Sequence, residues 1–323
     1  MAMSIEAFLA EWHSDSPYVR VQTSGSTGAP KAMLVEKRRM LNSARITCDF
    51  LHLRAGDTAL LCMSLDYIAG KMMVVRSLER GLRLISVEPS GHPMRGQSPV
   101  TFAAMVPMQV WNTLQVAEER ATLEAVKHLI IGGGAVDDGM AATLRTFPNA
   151  VWSTYGMTET LSHIALRRLS GSEASEWYTP FESVSLSLSE DGCLVIDAPE
   201  VCAERLITND MAELRQDGCF RILGRKDNVI CSGGIKIQAE QVERQLQPYL
   251  ASPFLVSKRQ DAKFGEVVVL LTEGSVDEAR RVCERLLPKY HQPRAYLHVD
   301  RIPLTETGKP ARHDAQLLAS NSL

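Results

Sequence analysis

Apolar residues recur along this chain in two rhythms, and the changes between them mark three stretches. Near the start, Tyr18-Val19-Arg20-Val21-Gln22 alternates like a half-buried strand, and Ala32-Met33-Leu34-Val35 forms a second one. Residues 39–53 carry Met40, Ala44, Thr47/Cys48 and Leu51 at helical spacing. Five short apolar runs of strand length follow, at 58–63, 82–87, 100–106, 128–131 and 151–155. Helical segments at 67–78, 108–118 and 138–146 alternate with them, which predicts parallel strands joined by crossover helices.

After Ser162 the rhythm shortens. Strands are expected at 164–169, 184–188 and 194–197, with Asp191-Gly192 as a hairpin turn. Two more follow at 206–208 and 219–222, with Asp217-Gly218 as the turn between them. A third character begins near Lys226. An amphipathic helix at 239–250 places Val242, Leu246 and Tyr249/Leu250 on one face. A strongly apolar strand covers 266–272, and a second helix over 276–287 turns Val276, Ala279, Val282/Cys283 and Leu286 inward before Pro288 ends it. The expected fold class is α/β: an α/β domain over 1–226, with a β-rich subdomain from about 163, and a small α+β domain of two helices and a few strands over 227–323.

Composition narrows the functional classes. A chain of 323 residues can bury a sizeable core and suits one large and one small domain. A net charge of −3 without a basic tract gives no reason to expect nucleic acid or an acidic membrane as partner. No apolar run approaches the length of a spanning helix, and the first residues lack a basic stretch before an apolar core. A cytoplasmic location is therefore the expectation. Seven cysteines at scattered spacing, with no C-x-x-C pair, suit reduced thiols, and nothing marks Cys231 as a nucleophile. The eight histidines show no ligand spacing, so no zinc site is expected.

Between the first two strands lies Thr23-Ser24-Gly25-Ser26-Thr27-Gly28-Ala29-Pro30-Lys31, with four hydroxyls, two glycines and one cation. Backbone N–H groups and hydroxyls of such a loop can surround a polyphosphate while the lysine neutralises charge. It is not a Walker A loop, because Ala29 and Pro30 separate Gly28 from Lys31. Pro30 also disfavours a helix through Ala29, so the loop runs strand to strand. Further along come Tyr155-Gly156-Met157-Thr158-Glu159-Thr160, Gly224-Arg225-Lys226-Asp227 with Gly233-Gly234-Ile235-Lys236-Ile237, and Thr307-Gly308-Lys309. Taken singly, each has a plainer reading: Gly308-Lys309 is a surface turn, Tyr155 a strand-end aromatic, and Asp210 a solvated turn residue.

Together, in this order and over nearly the whole chain, the four motifs resemble the adenylate-forming superfamily of acyl-CoA synthetases, adenylation domains and luciferases. The segments TYGMTETLSHIALR and DYIAGKMMV look most like the 2-succinylbenzoate–CoA ligases of menaquinone biosynthesis. The resemblance implies an acid–thiol ligase that uses ATP, Mg²⁺ and coenzyme A. Residues Thr23, Ser24, Gly25, Ser26, Thr27, Gly28 and Lys31 would hold the β- and γ-phosphates. Glu159 would ligate Mg²⁺ and Thr158 would bond the α-phosphate. Tyr155 would stack on adenine beside Gly132, Gly133 and Gly134, while Asp210 and Arg225 would bond the ribose hydroxyls. Lys309 would reach from a mobile C-terminal lid to the carboxylate and α-phosphate. Asp227 matches the hinge position, about which rotation would exchange Lys309 for the Gly233-Gly234 face that admits coenzyme A.

Lys71, Ser162 and His163 are the expected donors to a second carboxylate in the acid pocket, since an unpaired buried carboxylate is costly. Two departures from the family stand out. Only 22 residues precede the loop, so apolar surface would remain that a homodimer could cover, and Asn209 stands where many relatives have glycine. The alternatives are another aryl- or acyl-CoA ligase, a ligase that loads a carrier-protein thiol and, from a different class, a non-catalytic AMP-binding regulatory protein. Intact Glu159 and Lys309 speak against the last.

Overall fold

In the computed structural model, which describes residues 3–22, 32–305 and 309–321, the chain opens with helix α1 (Ile5–Trp12). Strands β1 (Tyr18–Gln22) and β2 (Ala32–Glu36) then pair antiparallel, from Tyr18 opposite Glu36 to Gln22 opposite Ala32. The strand-to-strand setting expected for 23–31 is thus present at both stems. The loop itself lies outside the described residues.

The main layer is α2 (Lys37–Phe50), β3 (Thr58–Leu61), α3 (Ile68–Arg80), β4 (Arg83–Ser86), β5 (Phe102–Met105), α4 (Pro107–Leu114), α5 (Ala117–Glu124), β6 (His128–Ile131), α6 (Asp138–Leu144), β7 (Ala150–Gly156), β8 (His163–Arg168) and β9 (Thr179–Pro180). Its sheet runs β4-β3-β5-β6-β7-β8-β9, the first five strands parallel and the last two antiparallel. The chain order reverses between β3 and β5, and in such sheets a crevice opens there at the carboxyl ends of the strands. Apolar cores cover both faces, one including Val75, Phe102 and Ile130 and the other Leu60, Ala103 and Leu129. Two expectations need correction. The strand expected at 164–169 as part of a β-rich subdomain joins the large sheet beside β7, because the few residues between β7 and β8 cannot make a parallel crossover. The helix expected at 108–118 is two helices, broken where Val116 takes an extended conformation.

A separate four-stranded antiparallel sheet follows: β10 (Ser185–Leu188), β11 (Cys193–Asp197), β12 (Leu206–Leu214) and β13 (Phe220–Arg225). Its turns are the expected ones, with Gly192 and Gly218 at φ of 79° and 81°.

The remaining elements are β14 (Val229–Ser232), β15 (Ile235–Gln238), α7 (Ala239–Leu246), β16 (Phe254–Asp261), β17 (Gly265–Thr272), α8 (Val276–Leu286), β18 (Ala295–His298) and α9 (Arg312–Asn321). The strands form one sheet, with the strongly apolar β17 at its centre. Its two faces are covered by their own cores, one under α7 and α8 and one under α9. The sequence reading anticipated two helices here. The third, α9, was missed because it buries only Ala315 and Ala319 and so shows little apolar periodicity.

Candidate active site

Four of the expected nucleotide contacts lie at the carboxyl ends of neighbouring strands. Gly132-Gly133-Gly134 follows β6, and Tyr155-Gly156 ends β7, so sheet topology brings them side by side. Glycine is required at the first two: a Cβ on Gly132 would overlap the Thr154 hydroxyl, and Gly133 has φ of +79°.

The next turn, Thr158–Thr160, is tight and locally determined. Thr160 is buried, and its hydroxyl lies between the Met157 and Ser162 backbones: the Met157 N–H donates to it at 3.0 Å, and Ser162 O lies 2.7 Å away. Leu161 then adopts φ of +64°, unusual for a residue with a branched side chain. This fold of the backbone leaves Thr158 half-buried and Glu159 exposed at the mouth, where neither is consumed by the core.

Asp210 and Arg225 are brought together by strand register, directly opposite each other on β12 and β13. Arg225 Nη1 donates to Asp210 Oδ1 at 3.4 Å, and the Tyr155 hydroxyl donates to Asp210 Oδ2 at 2.7 Å. Burial, followed by the Asp210 charge, pushes the Tyr155 hydroxyl pKa far up, so it remains a donor. Tyr155 was expected as an adenine platform; its hydroxyl also fixes the carboxylate of Asp210. Arg225 Nη2 reaches Asp227 at 3.1 Å, and Asn209, singled out as a departure, donates to the same carboxylate oxygen at 3.2 Å. The expected hinge residue is thus tied to the Asp210–Arg225 pair.

The last unit closes onto this group. Gln238 donates to the Arg225 carbonyl at 2.9 Å, and the Arg225 N–H donates to Glu240 at 3.3 Å. A Cβ on Gly224 would overlap the side chains of both Gln238 and Glu240. Lys309 lies within electrostatic reach of Arg225 and Asp210. Burial first, and then Arg225, lower its pKa below the ordinary lysine range, while Asp210 opposes the shift. Gly233 and Gly234 are placed elsewhere: they form the two-residue turn between β14 and β15, with φ of 57° and 85°, and Gly233 N donates to Phe264 O at 2.8 Å.

The proposed acid-pocket donors separate. Lys71 is buried, but its ammonium is committed to the Arg20 carbonyl at 2.5 Å and lies over the Phe8 ring. Ser162 and His163 instead face Arg76, which lies more than a third of a helical turn around α3 from Lys71. Arg76 Nη2 donates to Ser162 Oγ at 2.7 Å. The serine proton is then free to meet His163 Nδ1 at 3.1 Å, leaving Nε2–H to donate to Thr47 Oγ1 at 3.1 Å, which donates on to Ser43 O at 3.0 Å. The chain has one consistent direction and needs a neutral imidazole. Burial, and then the Arg76 charge, hold the His163 pKa well below its usual value.

Arg76 was not anticipated. It is 2% exposed, its Nε has no partner, and no carboxylate among the described residues pairs with it. Desolvation pushes its pKa down to about 10. The available signal was a cation following Met72-Met73-Val74-Val75, in the interior of an apolar helix.

The chain is similar to several known proteins. The family model described as AMP-binding enzyme matches residues 6–200. A 2-succinylbenzoate–CoA ligase of Bacillus cereus strain Q1 is 25% identical over 350 aligned positions, covering 97% of this chain and 73% of that protein. The crystal structure of an acyl-CoA synthetase (AMP-forming)/AMP-acid ligase II-like protein from Dyadobacter fermentans is 31% identical, with a TM-score of 0.66, and covers 97% of this chain and 92% of its own. The o-succinylbenzoate CoA synthetase of Bacillus subtilis, solved with its acyl-adenylate intermediate, shares the fold at a TM-score of 0.76 and 24% identity, covering 92% of this chain and 68% of that one.

Proposed function

We propose that this chain, which belongs to the AMP-binding enzyme family, adenylates a carboxylic acid with ATP and transfers the acyl group to coenzyme A. The observation that carries this reading is that Lys309 comes within electrostatic reach of Asp210 and Arg225, more than eighty positions earlier in the chain, where Asp210 is bonded to Tyr155 at the carboxyl end of β7. In the first half-reaction a carboxylate oxygen attacks the α-phosphorus and pyrophosphate leaves. Both reactants are anions, so cations placed in advance lower the barrier. Lys309 supplies one at the reacting oxygens, and Thr158 donates a hydrogen bond to the α-phosphate. Asp210 accepts from the ribose hydroxyls, held by Tyr155 and Arg225. In the second half-reaction the thiol of coenzyme A attacks the acyl carbonyl and AMP leaves.

Among the described residues no cluster of three or more potential ligands could cage a metal. A single exposed carboxylate, Glu159, suits Mg²⁺, which takes its other ligands from phosphates and water. Bound there, the ion would neutralise charge on the nucleotide.

The unit 227–323 is, in this reading, a lid that rotates about Asp227, with residues 1–226 as the body. The electrostatic proximity of Lys309 to Arg225 and Asp210 supports reading this arrangement as the adenylating one. For the acid we propose 2-succinylbenzoate, with Arg76 rather than Lys71 facing its second carboxylate. A guanidinium buried without an anion is costly, and a dicarboxylic substrate would supply the missing partner.

The test is acid-dependent pyrophosphate exchange across a panel of acids, followed by mass spectrometry for coenzyme A thioesters. The expected outcome is strongest exchange with 2-succinylbenzoate and its thioester as product. If no acid in the panel supported exchange, the chain would be a non-catalytic AMP-binding protein, and exchange without a thioester would indicate a carrier-protein ligase.

A further inference from the structure

Lys309 can act only if the segment that carries it is held in register with the rest of its unit. Upstream, the backbone closes a short antiparallel clip: Thr305 N–H donates to Lys309 O at 2.7 Å, Lys309 N–H donates to the Thr305 hydroxyl at 3.1 Å, and Ala311 N–H donates to Pro303 O at 2.8 Å. Downstream, α9 begins three residues later at Arg312. The helix itself is a weak anchor, since its buried residues are two alanines, and each buried methyl contributes on the order of 1 kcal/mol.

The strong contact is at its first residue. Arg312 makes a two-pronged bond to Glu243 on α7, Nη1 to Oε1 at 2.8 Å and Nη2 to Oε2 at 2.7 Å. The same Nη1 donates to the Val256 carbonyl on β16 at 3.0 Å, and the Val256 N–H donates to Glu243 Oε1 at 2.8 Å. One residue of β16, Val256, is thus bracketed through its N–H and its C=O by both members of the pair. Planar forks of this kind fix orientation as well as distance.

We infer that Arg312 and Glu243 are positioning residues for adenylation, clipping the Lys309 segment to α7 and β16 so that the ammonium arrives beside Asp210 and Arg225. This rests on the proposed role of Lys309. The pair touches neither substrate nor reacting atoms. It restricts where the clip can sit, and an error of about 1 Å in a catalytic group can cost about a hundredfold in rate. The thioester half-reaction uses the lid through its other face and does not need Lys309 in place.

The experiment compares Arg312→Met, Arg312→Lys and Lys309→Ala in the full chain. Adenylation is read by pyrophosphate exchange, and thioester formation by coenzyme A attack on supplied 2-succinylbenzoyl-adenylate. Arg312→Met is expected to slow adenylation about 10- to 100-fold while thioester formation stays within about threefold. Arg312→Lys keeps the charge but not the fork, protects against unfolding, and is expected to fall between wild type and Arg312→Met. Equal loss of both half-reactions would make the pair a fold anchor and overturn the inference, as would unchanged adenylation in both variants. If Lys309→Ala abolishes adenylation and the Arg312 variants do not slow it, this inference alone fails; if Lys309→Ala leaves adenylation intact, the role of Lys309 fails with it.

Discussion

The proposed acid specificity turns on a single residue, Arg76. Its guanidinium is buried, with Nη1 3.8 Å from Met73 Sδ, and is bonded to Ser162 but to no carboxylate among the described residues. For stability alone an apolar side chain of similar length would serve better, because burying an unpaired charge costs several kcal/mol. Arg76→Met is therefore expected to keep or raise the melting temperature while lowering kcat/KM for 2-succinylbenzoate roughly thirtyfold or more, the effect of removing one partner from a buried charge pair at about 2–5 kcal/mol. Activity on benzoate, which lacks the second carboxylate, is expected to change little. A lower melting temperature with equal losses on both acids would make Arg76 structural. Sequence reasoning chose Lys71 in its place because Lys71 adjoins a recognisable motif. Which side of α3 faces Ser162 and His163 is decided by how α3 packs against α2, β3 and β4, and no local pattern encodes that.

At the scale of elements, the turn from β7 to β8 shows what was legible and what was not. Alternating strands and helices disclosed the parallel layer, since each buried strand and amphipathic crossover has its own rhythm. That β8 returns antiparallel into the same sheet was not legible, because a buried strand looks alike in either sheet. The turn is made possible by Gly156, where a Cβ would overlap the Ser162 carbonyl oxygen. Gly156→Ala is expected to destabilise the protein by about 1–3 kcal/mol, read by urea unfolding, and to displace Thr158 and Glu159 enough to weaken ATP binding. An unchanged unfolding midpoint would show that the turn relaxes freely. The four-stranded sheet was legible from its Asp-Gly turns, whereas α9 was not, having alanines where a helix normally shows larger apolar residues.

For the whole molecule, the motifs were legible as pieces and their meeting place was not. Asp210 and Arg225 find each other through strand register, and Tyr155 joins them from another sheet. Lys309 arrives from a third unit whose Gln238 and Glu240 grip the Arg225 backbone. In the proposed mechanism such a site exists only while that unit is closed, which would link catalysis to its position. The most direct measurement is therefore the pair of half-reactions in Lys309→Ala. Acid-dependent pyrophosphate exchange is expected to fall to background, while coenzyme A still converts supplied 2-succinylbenzoyl-adenylate to the thioester at near the wild-type rate. Equal loss of both half-reactions, or exchange that survives, would contradict a ligase that adenylates with one face of its lid and forms the thioester with another.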